Sequence, residues 1–326
     1  MCKNVKVFVE MILKNISEFV SPIWENSNIS DDLNIDLRVK RDDLIPFFGG
    51  GNKVRKMVPI ITDAIGNGAN AIVTTGGPNS NHLRVFALIS AYLGWKCSVV
   101  IHSECPINVN NNINYQLIRM TGATIKECTL SNAPTEMDGE MARLEGDGFH
   151  PYYVWGGGHT PQGIRAYVDA VDELKVQLDG WSPDYIIVPS GTGGTHGGIH
   201  IGASEKYPNT TTFGISVARS KSRGLRKLDD TLNMYVSEYG AVQCKPFVFL
   251  DKYNAGGYER VNPDISATIK DCASRYGLIL DPTYTGKAFT GMINLIREGF
   301  IGRGSKVLFW HTGGMMNLFP TSKLVS

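Results

Sequence analysis

Short runs of β-branched and other apolar residues alternate along this chain with longer segments that have the helical period of 3.6 residues. The apolar runs predict strands over 35–41, 70–75, 97–101, 123–128, 152–155, 184–189, 211–217, 247–250 and 306–310. Helices are predicted over 53–68, 81–93 and 112–122, and further helical segments separate the later strands. Strands that alternate with helices in this way are typical of βαβ units. The sequence therefore predicts an α/β fold with open, parallel-rich sheets and helices on both of their faces.

The strands fall into two sets, one before and one after about residue 165, and each set is large enough for a sheet. A chain of 326 residues has room for two such domains. Ligands of open α/β sheets bind at the carboxyl ends of the strands. We therefore expect the chemistry to lie between the two domains, in the glycine-rich loops that follow strands.

Charge and hydropathy exclude several classes of partner. The 32 basic and 31 acidic residues give a net charge of +1, so the composition does not favour binding to nucleic acid or to an acidic membrane surface. No run approaches the 18 or so apolar residues that a membrane span requires. The six scattered cysteines lack zinc-finger spacing, so they predict free thiols in a reducing compartment and no metal site.

The N-terminal residues 1–19 contain a short apolar run that Glu10 interrupts, and no small-residue cleavage site follows it. This pattern favours an amphipathic first helix over a signal peptide. Together with the thiols, it predicts a cytoplasmic protein.

The first glycine-rich loop reads FFGGGNKVRK and ends in Lys53. Three consecutive glycines cost backbone entropy, so either close approach or unusual dihedral angles must require them. One interpretation is that Gly49–Gly51 let a planar ligand approach the backbone while Lys53 presents a desolvated amine that reacts with a carbonyl. The alternative is a flexible basic loop at the surface, and this stretch alone does not exclude it. The spacing does not match a P-loop.

The second loop, GGPNSNHLR over 76–84, follows a predicted strand. Its small polar residues are typical of a helix start that exposes hydroxyl, amide and N–H groups toward an anion. Ser80 is equally well explained as a plain helix cap. His82 is equally well explained as a packed core histidine, and we assign it no role.

The third loop, SGTGGTHGG over 190–198, also lies between a predicted strand and a predicted helix. Such a loop offers a nest of N–H groups to a phosphate. The dinucleotide pattern GxGxxG fails because His196 occupies the third glycine position, and no acidic residue follows to bind a ribose. The loop therefore favours one phosphate monoester over a dinucleotide, with a plain tight turn as the alternative.

Two C-terminal segments, LDPTYTGKAFTGM and FWHTGGMM, place Tyr284, Thr285 and Thr312 at a helix start or a strand end. Each is equally well explained as an ordinary cap or turn. Taken together, the loops supply a lysine, a cup for one phosphate, and hydroxyl or phenol groups at strand ends. That combination matches the needs of pyridoxal 5′-phosphate, which carries an aldehyde, one phosphate and a pyridine ring.

From about residue 21 to residue 314, the chain resembles the D-cysteine desulfhydrase and 1-aminocyclopropane-1-carboxylate (ACC) deaminase family of fold-type II pyridoxal-phosphate enzymes. The motifs that carry the resemblance are KRDDL…GGGNKVRK, GGPNSNHLR, SGTGGTHGG and LDPTYTGKA. The resemblance implies a tryptophan synthase β-like fold, with a large cofactor-binding domain over 1–56 and 166–326 and a small domain over 57–165. It also implies a small amino-acid substrate and a homodimer.

The resemblance further implies roles for particular residues. Lys53 corresponds to the Schiff-base lysine, and Ser80, Tyr284 and Tyr258 correspond to catalytic residues. The implied cofactor contacts are Lys53, Asn52, Lys56, Asn81, Gly191, Thr192, Gly193, Gly194, Thr195, Thr285 and Thr312. Lys56 is expected to assist at the phosphate, and Thr285 is expected beside the pyridine nitrogen.

The two activities of the family require different chemistry. D-cysteine has a Cα–H that Lys53 can remove, after which thiol leaves Cβ; ACC has no Cα–H, so its ring must be opened at another atom. Deaminases resemble one another in carrying Glu where this chain has Thr285 and Leu where it has Thr312, whereas desulfhydrases carry hydroxyl residues there. A neutral Thr285 weakens the electron sink, and this favours β-elimination to pyruvate, ammonia and sulfide.

Departures from the family pattern leave the substrate open. Pro78 and Asn79 replace the common Ile-Gln of the second loop, and His159 and Thr160 stand where members usually have Ser or Asn. ACC deaminase, or β-elimination or β-replacement on another amino acid, therefore stays an alternative. A different class, a non-catalytic amino-acid or cofactor-binding protein, is disfavoured by the presence of Lys53, Ser80 and Tyr284. The failed GxGxxG and P-loop spacings disfavour a nucleotide-binding enzyme.

Overall fold

The computed structural model describes residues 12–103, 107 and 112–318. These residues form two compact units, each with its own sheet. The first unit comprises the described residues of 1–19, 46–49 and 53–163, and the second those of 20–45, 50–52 and 164–318. Of the predicted first helix, residues 12–17 are helical, and residues 1–11 lie outside the described residues, as do Cys2 and Cys105. The assignment of domains at residues 57 and 165 stays a prediction.

The chain alternates between strands and helices. The strands are β1 (Ile23–Glu25), β2 (Asp36–Arg41), β3 (Ala71–Gly76), β4 (Lys96–His102), β5 (Thr124–Cys128), β6 (Pro151–Val154), β7 (Tyr185–Ser190), β8 (Thr211–Ser216), β9 (Val248–Leu250) and β10 (Lys306–His311). The helices are α1 (Ser27–Leu33), α2 (Asn52–Gly66), α3 (Asn81–Leu93), α4 (Ile113–Met120), α5 (Ala133–Gly146), α6 (Pro161–Leu178), α7 (Gly194–Lys206), α8 (Lys221–Tyr239), α9 (Pro263–Tyr276) and α10 (Thr285–Arg297).

The first unit contains a four-stranded sheet in the order β5-β4-β3-β6, and every described pairing in it is parallel. Strand β3 is buried along its whole length. This burial on both faces explains why its sequence is an unbroken apolar and threonine run instead of an alternating one. The loop that carries Ser80 follows this central strand directly.

The second unit contains a six-stranded sheet in the order β1-β2-β10-β7-β8-β9. Only the edge strand β1 pairs antiparallel, and the other pairings are parallel. Successive residues of β7 point into different cores: Ile186 and Val188 pack with α6 and α7, whereas Ile187 packs with α9 and α10. Helices therefore cover both faces of this sheet, and the predicted fold class is confirmed.

Three elements were not predicted. Strand β1 and helix α1 are short, so their sequence signal is weak. Helix α5 lies in the acidic segment after β5, and its Ala133, Met137 and Leu144 form an apolar face that packs on the four-stranded sheet. Among the described residues, no helix is both long and apolar enough to cross a membrane.

Candidate active site

The three glycines before Lys53 are required by the backbone itself. Gly49, Gly50 and Gly51 all have positive φ angles, of 81°, 69° and 90°. A Cβ at Gly50 would lie 2.7 Å from the Asp43 carbonyl oxygen, and one at Gly51 would lie 2.8 Å from that of Thr312. Such distances exclude any side chain. The loop therefore has a fixed conformation, whereas the sequence left open a flexible surface loop.

Lys53 lies in the first turn of α2 and is half-buried. Burial lowers the pKa of its amine from the ordinary 10.5 to about 8. A free amine is the reactive form toward a carbonyl, so the environment favours the nucleophile that the sequence predicted. Its role as the lysine that binds the cofactor stays a prediction at this level.

Lys56 lies one helical turn after Lys53 and is fully buried. Its Nζ donates to the Gly157 carbonyl oxygen at 3.3 Å. Burial, and then the positive charge of Lys53, lower the pKa of Lys56 well below its ordinary value. A phosphate next to this amine would favour the ammonium form again, and the predicted contact of Lys56 with a phosphate stays a prediction.

His82 belongs to the same neighbourhood, although we assigned it no role from sequence. The Thr74 hydroxyl donates to the Val154 carbonyl oxygen at 2.8 Å, so it accepts from His82 Nε2 at 2.7 Å. His82 Nδ1 is then an unprotonated, buried atom that has no hydrogen-bond partner among the described residues. Burial, with the charges of Lys53 and Lys56, lowers the pKa of His82 well below its ordinary value, so the ring is neutral.

Ser80 caps α3, as one interpretation of the sequence held. Its Oγ accepts from the Leu83 N–H at 3.3 Å, which leaves the hydroxyl proton available for another acceptor. Ser80 and the adjacent Asn81 are both buried. Their predicted positions beside cofactor and substrate stay predictions.

Arg84 binds the loop that contains Asn81 through side-chain hydrogen bonds, and sequence reasoning missed this role. Its Nη1 donates to Asn81 Oδ1 at 2.6 Å and to Asn114 Oδ1 at 2.7 Å, and its Nε donates to the Phe48 carbonyl oxygen at 3.0 Å. Only 1% of Arg84 is exposed, and it forms no ion pair with a carboxylate among the described residues. Burial lowers the pKa of Arg84 to about 10, so it stays charged at neutral pH. The first unit thus holds a buried cation that has no carboxylate partner among its described residues and that contacts the Ser80–Asn81 segment through Asn81.

In the second unit, residues 191–193 connect β7 to α7. Gly193, the residue before the helix, has a φ angle of 96°, and no described side chain caps the helix. The first amides of a helix have no internal partner, and the first turn of α7 carries no acidic residue. These N–H groups fit an anion such as a phosphate, which is what the sequence predicted for Gly191, Thr192, Gly193, Gly194 and Thr195.

Two side chains fix the position of this loop. Asn52 Nδ2 donates to Thr195 Oγ1 at 3.0 Å, while the Asn52 N–H donates to the Thr312 carbonyl oxygen at 2.9 Å. Arg219 Nη1 donates to the Gly191 carbonyl oxygen. Since Lys53 follows Asn52 directly in the chain, the residue before the reactive amine is bonded to the predicted phosphate loop. Sequence reasoning missed Arg219, which follows β8 without any motif.

The predicted tyrosines meet each other. The Tyr258 and Tyr284 hydroxyl oxygens are 2.6 Å apart, and their rings are arranged edge to face with centroids 6.0 Å apart. Burial raises the pKa of Tyr284, so its phenol is protonated at neutral pH. A neutral phenol that already has a hydrogen-bonded partner is able to donate or relay a proton.

Thr285 is tied to a buried carboxylate that sequence reasoning also missed. Its Oγ1 donates to Asp281 Oδ1 at 2.8 Å and accepts from the Asp281 N–H at 2.8 Å. The Asp281 carboxylate also accepts from the backbone N–H groups of Thr283, Tyr284 and Thr285. Burial raises the pKa of Asp281, against these hydrogen bonds, which lower it. The Thr285 hydroxyl is therefore a neutral group whose proton is already committed.

The predicted site residues fall into two groups. The first unit holds Lys53, Lys56, Ser80 and Asn81, and the second holds Asn52, Gly191–Thr195, Tyr258, Tyr284, Thr285 and Thr312. One group supplies an amine of lowered pKa and the other supplies uncapped helix amides, which are the two functions that a phosphorylated aldehyde requires. The residues present therefore fit pyridoxal phosphate. The individual roles stay predictions.

Known proteins match the chain over nearly its whole length. The family model described as "Pyridoxal-phosphate dependent enzyme" matches residues 16–313. A D-cysteine desulfhydrase of Klebsiella pneumoniae is 32% identical over 323 residues, which cover 95% of this chain and 98% of that protein. A D-cysteine desulfhydrase of Serratia proteamaculans is 32% identical over 305 residues and 92% of each chain.

A solved structure gives the same result at the level of the fold. The crystal structure of an ACC deaminase homologue has a TM-score of 0.85 and 32% identity, and the match covers 95% of this chain and 94% of that one. The match confirms the predicted fold type. The chain therefore belongs to the pyridoxal-phosphate dependent enzymes, and its cofactor is pyridoxal 5′-phosphate.

Proposed function

We propose that this enzyme is a lyase that converts D-cysteine, or a closely related β-substituted amino acid, and water into pyruvate, ammonia and sulfide. The observation that carries the proposal is the pair of neutral groups at positions 284 and 285, where a phenol lies beside a hydroxyl whose proton is committed to Asp281. The D-cysteine desulfhydrases to which the chain is 32% identical support the same substrate.

When bound, pyridoxal phosphate serves as an electron sink for the electron pair that deprotonation leaves at the substrate Cα. We infer that Lys53 binds it covalently and afterwards takes the proton from Cα. An amine with a pKa of about 8 is suited to this step, because about one molecule in ten carries the free amine at pH 7, so that the group both accepts and returns a proton. The uncapped amides of α7 hold the phosphate, and Asn52 and Arg219 keep that loop in place.

The remaining steps need a proton donor and a place for the substrate carboxylate. Tyr284 donates a proton to the sulfur as the Cβ–S bond breaks, and Tyr258 relays the replacement. Arg84, which is positive and has no carboxylate partner among the described residues, makes the Ser80–Asn81 segment favourable for a carboxylate. The products are hydrogen sulfide and 2-aminoacrylate, and hydrolysis of the latter gives pyruvate and ammonia.

Thr285 supports elimination over ring opening. Its oxygen carries no charge, and a neutral acceptor holds a protonated pyridine nitrogen less strongly than a carboxylate does. Loss of thiolate from Cβ needs less stabilisation of the carbanion than ring opening of ACC. We infer that ACC is the poorer substrate, although the chain is also similar to the ACC deaminase homologue.

A substrate panel tests this proposal. The purified enzyme is incubated with D-cysteine, L-cysteine, D-serine, L-cysteate and ACC, and pyruvate, the four-carbon 2-oxo acid from ACC, ammonia and sulfide are measured. We expect D-cysteine to give sulfide and pyruvate in equal amounts. Lys53→Ala should abolish turnover, whereas Lys96→Ala, at an exposed lysine of the same unit, should not. Preference for ACC, or binding without turnover of any substrate, would refute the proposal.

We also propose that the enzyme is a homodimer in the cytoplasm. Members of the family are usually homodimers, and the described cysteines 97, 128, 244 and 272 are free thiols, which are typical of a reducing compartment. Light scattering coupled to size exclusion gives the mass, which should be twice 35.7 kDa. A single-chain mass would contradict the homodimer. Fractionation of the native protein with an oxidising compartment would contradict the cytoplasmic location.

A further inference from the structure

Lys287 has an environment that the proposed mechanism does not use. It lies in the first turn of α10, three residues after Tyr284, and is fully buried. Its Nζ donates to three backbone carbonyl oxygens: those of Val217 at 2.9 Å, Asn254 at 2.9 Å and Gly257 at 2.6 Å. An ammonium has three N–H donors, so each of them is used. Among the described residues, Lys287 forms no salt bridge.

The carbonyl groups at 254 and 257 belong to the irregular loop over 254–261. The residues over 254–261 are half-buried or exposed. Ala255 and Glu259 have positive φ angles of 55° and 60°, although neither is a glycine. A left-handed conformation is unfavourable for a residue other than glycine. Within the loop, Gly257 N–H donates to the Asn254 carbonyl oxygen at 3.2 Å. Lys287 connects this loop to the end of β8, because the same ammonium donates to Val217, Asn254 and Gly257.

Tyr258 directly follows one of these carbonyl groups. Gly257 is bonded to Lys287, which lies in the first turn of α10, and Tyr284 is the residue that precedes this turn. A short path of the chain therefore connects the two phenols. Their oxygens are 2.6 Å apart, although 37% of Tyr258 is exposed. An exposed tyrosine on an irregular loop keeps one position only if its backbone is held.

We infer that Lys287 is a positioning residue: its ammonium occupies a carbonyl-lined site of the kind that binds a monovalent cation, and it holds the 254–257 loop so that Tyr258 bonds to Tyr284. The inference rests on the proposed function only for the catalytic role of the two tyrosines.

The charge state of Lys287 is compatible with this role. Burial lowers the pKa of Lys287 to about 8, while the negative charges of Asp281 and Glu259 act in the opposite direction. At pH 7 most molecules therefore carry the ammonium.

The test compares Lys287→Met, which keeps an unbranched side chain one atom shorter and without charge, with Lys287→Ala. The matched control is Lys252→Met. Lys252 is an exposed lysine next to the same loop, and its amine pairs with Glu298. Hydrogen exchange of the 251–261 segment is measured on the holoenzyme at pH 7. We expect exchange to rise at least tenfold in both Lys287 variants and to stay unchanged in the control.

Two further readouts separate positioning from a general loss of stability. In the Lys287→Met background, Tyr258→Phe should have little further effect on kcat, because Tyr258 is already displaced. In Lys287→Ala, n-propylammonium replaces the atoms that the substitution removes, so it should restore slow exchange, whereas tetramethylammonium, which has no N–H, should not. Wild-type enzyme in the same salts controls for reaction of the amine with the cofactor.

Unchanged exchange in both Lys287 variants, or full additivity with Tyr258→Phe, would overturn the inference. If Lys287→Met does not fold, refolding of Lys287→Ala with the two ammonium salts decides the question, and no restoration by n-propylammonium counts against it. Because exchange is measured without turnover, a wrong substrate leaves this result interpretable.

Discussion

The lowered pKa of Lys53 makes a quantitative prediction about how the enzyme takes up its cofactor. The free amine attacks the aldehyde, so the rate of attachment follows the unprotonated fraction of Lys53. With the ordinary pKa of 10.5, about one molecule in 3,000 carries the free amine at pH 7. With the pKa of about 8 that burial produces, the fraction is about one in ten.

The pH dependence of the attachment rate distinguishes a Lys53 pKa of about 8 from the ordinary value of 10.5. For a pKa of about 8, the rate should rise roughly 50-fold between pH 6 and pH 8, and only about twofold between pH 8 and pH 10. For an ordinary lysine, the second interval should bring a rise of roughly 75-fold. The rate rises with pH because the unprotonated amine is the reactive form. A lower pKa of Lys53 moves this rise in rate to lower pH.

The assay is stopped-flow absorbance of enzyme freed of its cofactor and mixed with excess pyridoxal phosphate from pH 6 to pH 10. Reaction of the cofactor with Nα-acetyl-lysine over the same range corrects for ionisation of the aldehyde itself. A rate that still rises steeply above pH 9 after this correction would refute the argument that burial tunes Lys53.

Lys56→Met tells which cause sets the pKa of Lys53. Lys53 responds to burial, whereas Lys56 responds to burial and to the charge of Lys53. Burial alone thus accounts for the lowered pKa of Lys53, so removal of the Lys56 amine should leave the midpoint near pH 8 while changing the rate itself through the predicted phosphate contact. A midpoint that moves upward by more than about one unit would show that repulsion between the two lysines, not burial, lowers the pKa.

Three further substitutions test the surroundings of the site. Gly314→Ala should lower the free energy of unfolding in urea by about 1–3 kcal/mol, because φ at Gly314 is 108° and a Cβ would lie 2.6 Å from the Asp281 Cγ. The control Gly304→Ala, at φ 73° with nothing within 4 Å of the Cβ, should lower it less. Equal losses in the two variants would contradict the role of the contact with Asp281. Arg84→Lys keeps the charge, but one ammonium cannot reproduce the fork of three hydrogen bonds, so KM should rise more than kcat falls, and an unchanged KM would contradict the assignment. Thr285→Val removes one hydrogen-bond partner from the Asp281 N–H and one from its carboxylate. The free energy of unfolding in urea should therefore fall by about 1–3 kcal/mol. An unchanged free energy of unfolding would contradict this prediction.

The sequence predicts the fold well because parallel strands that are buried on both faces must be continuous apolar runs, and those runs are visible without tertiary information. It does not show α5, because Ala133, Met137 and Leu144 are spread among acidic residues in a segment whose mean composition is polar. Short elements such as β1 and α1 carry too few residues for a periodic signal.

The residues of the candidate site likewise fall into those that the sequence can predict and those that it cannot. Lys53 and Gly193 can be selected as candidates from the sequence because glycine-rich loops with positive φ angles leave a local pattern. Arg84 and Lys287 stand inside quoted motifs, yet their roles depend on carbonyl and amide groups that are 30 or more residues away in the chain. No local pattern shows that a lysine will be fully buried against three carbonyl oxygens.

The register of the six-stranded sheet has a consequence for the order of events during synthesis. Leu37 and Val39 of β2 pair with Val307 and Phe309 of β10, so β2 must wait for about 265 further residues before its parallel partner exists. At roughly 5–20 residues per second this wait lasts on the order of 10 to 50 s. The four-stranded sheet, by contrast, is encoded within residues 71–154 and can close while the ribosome is still translating. Nascent chains shorter than 306 residues therefore lack the strand that pairs with this edge of β2, and a chaperone that shields strand edges has its natural target there.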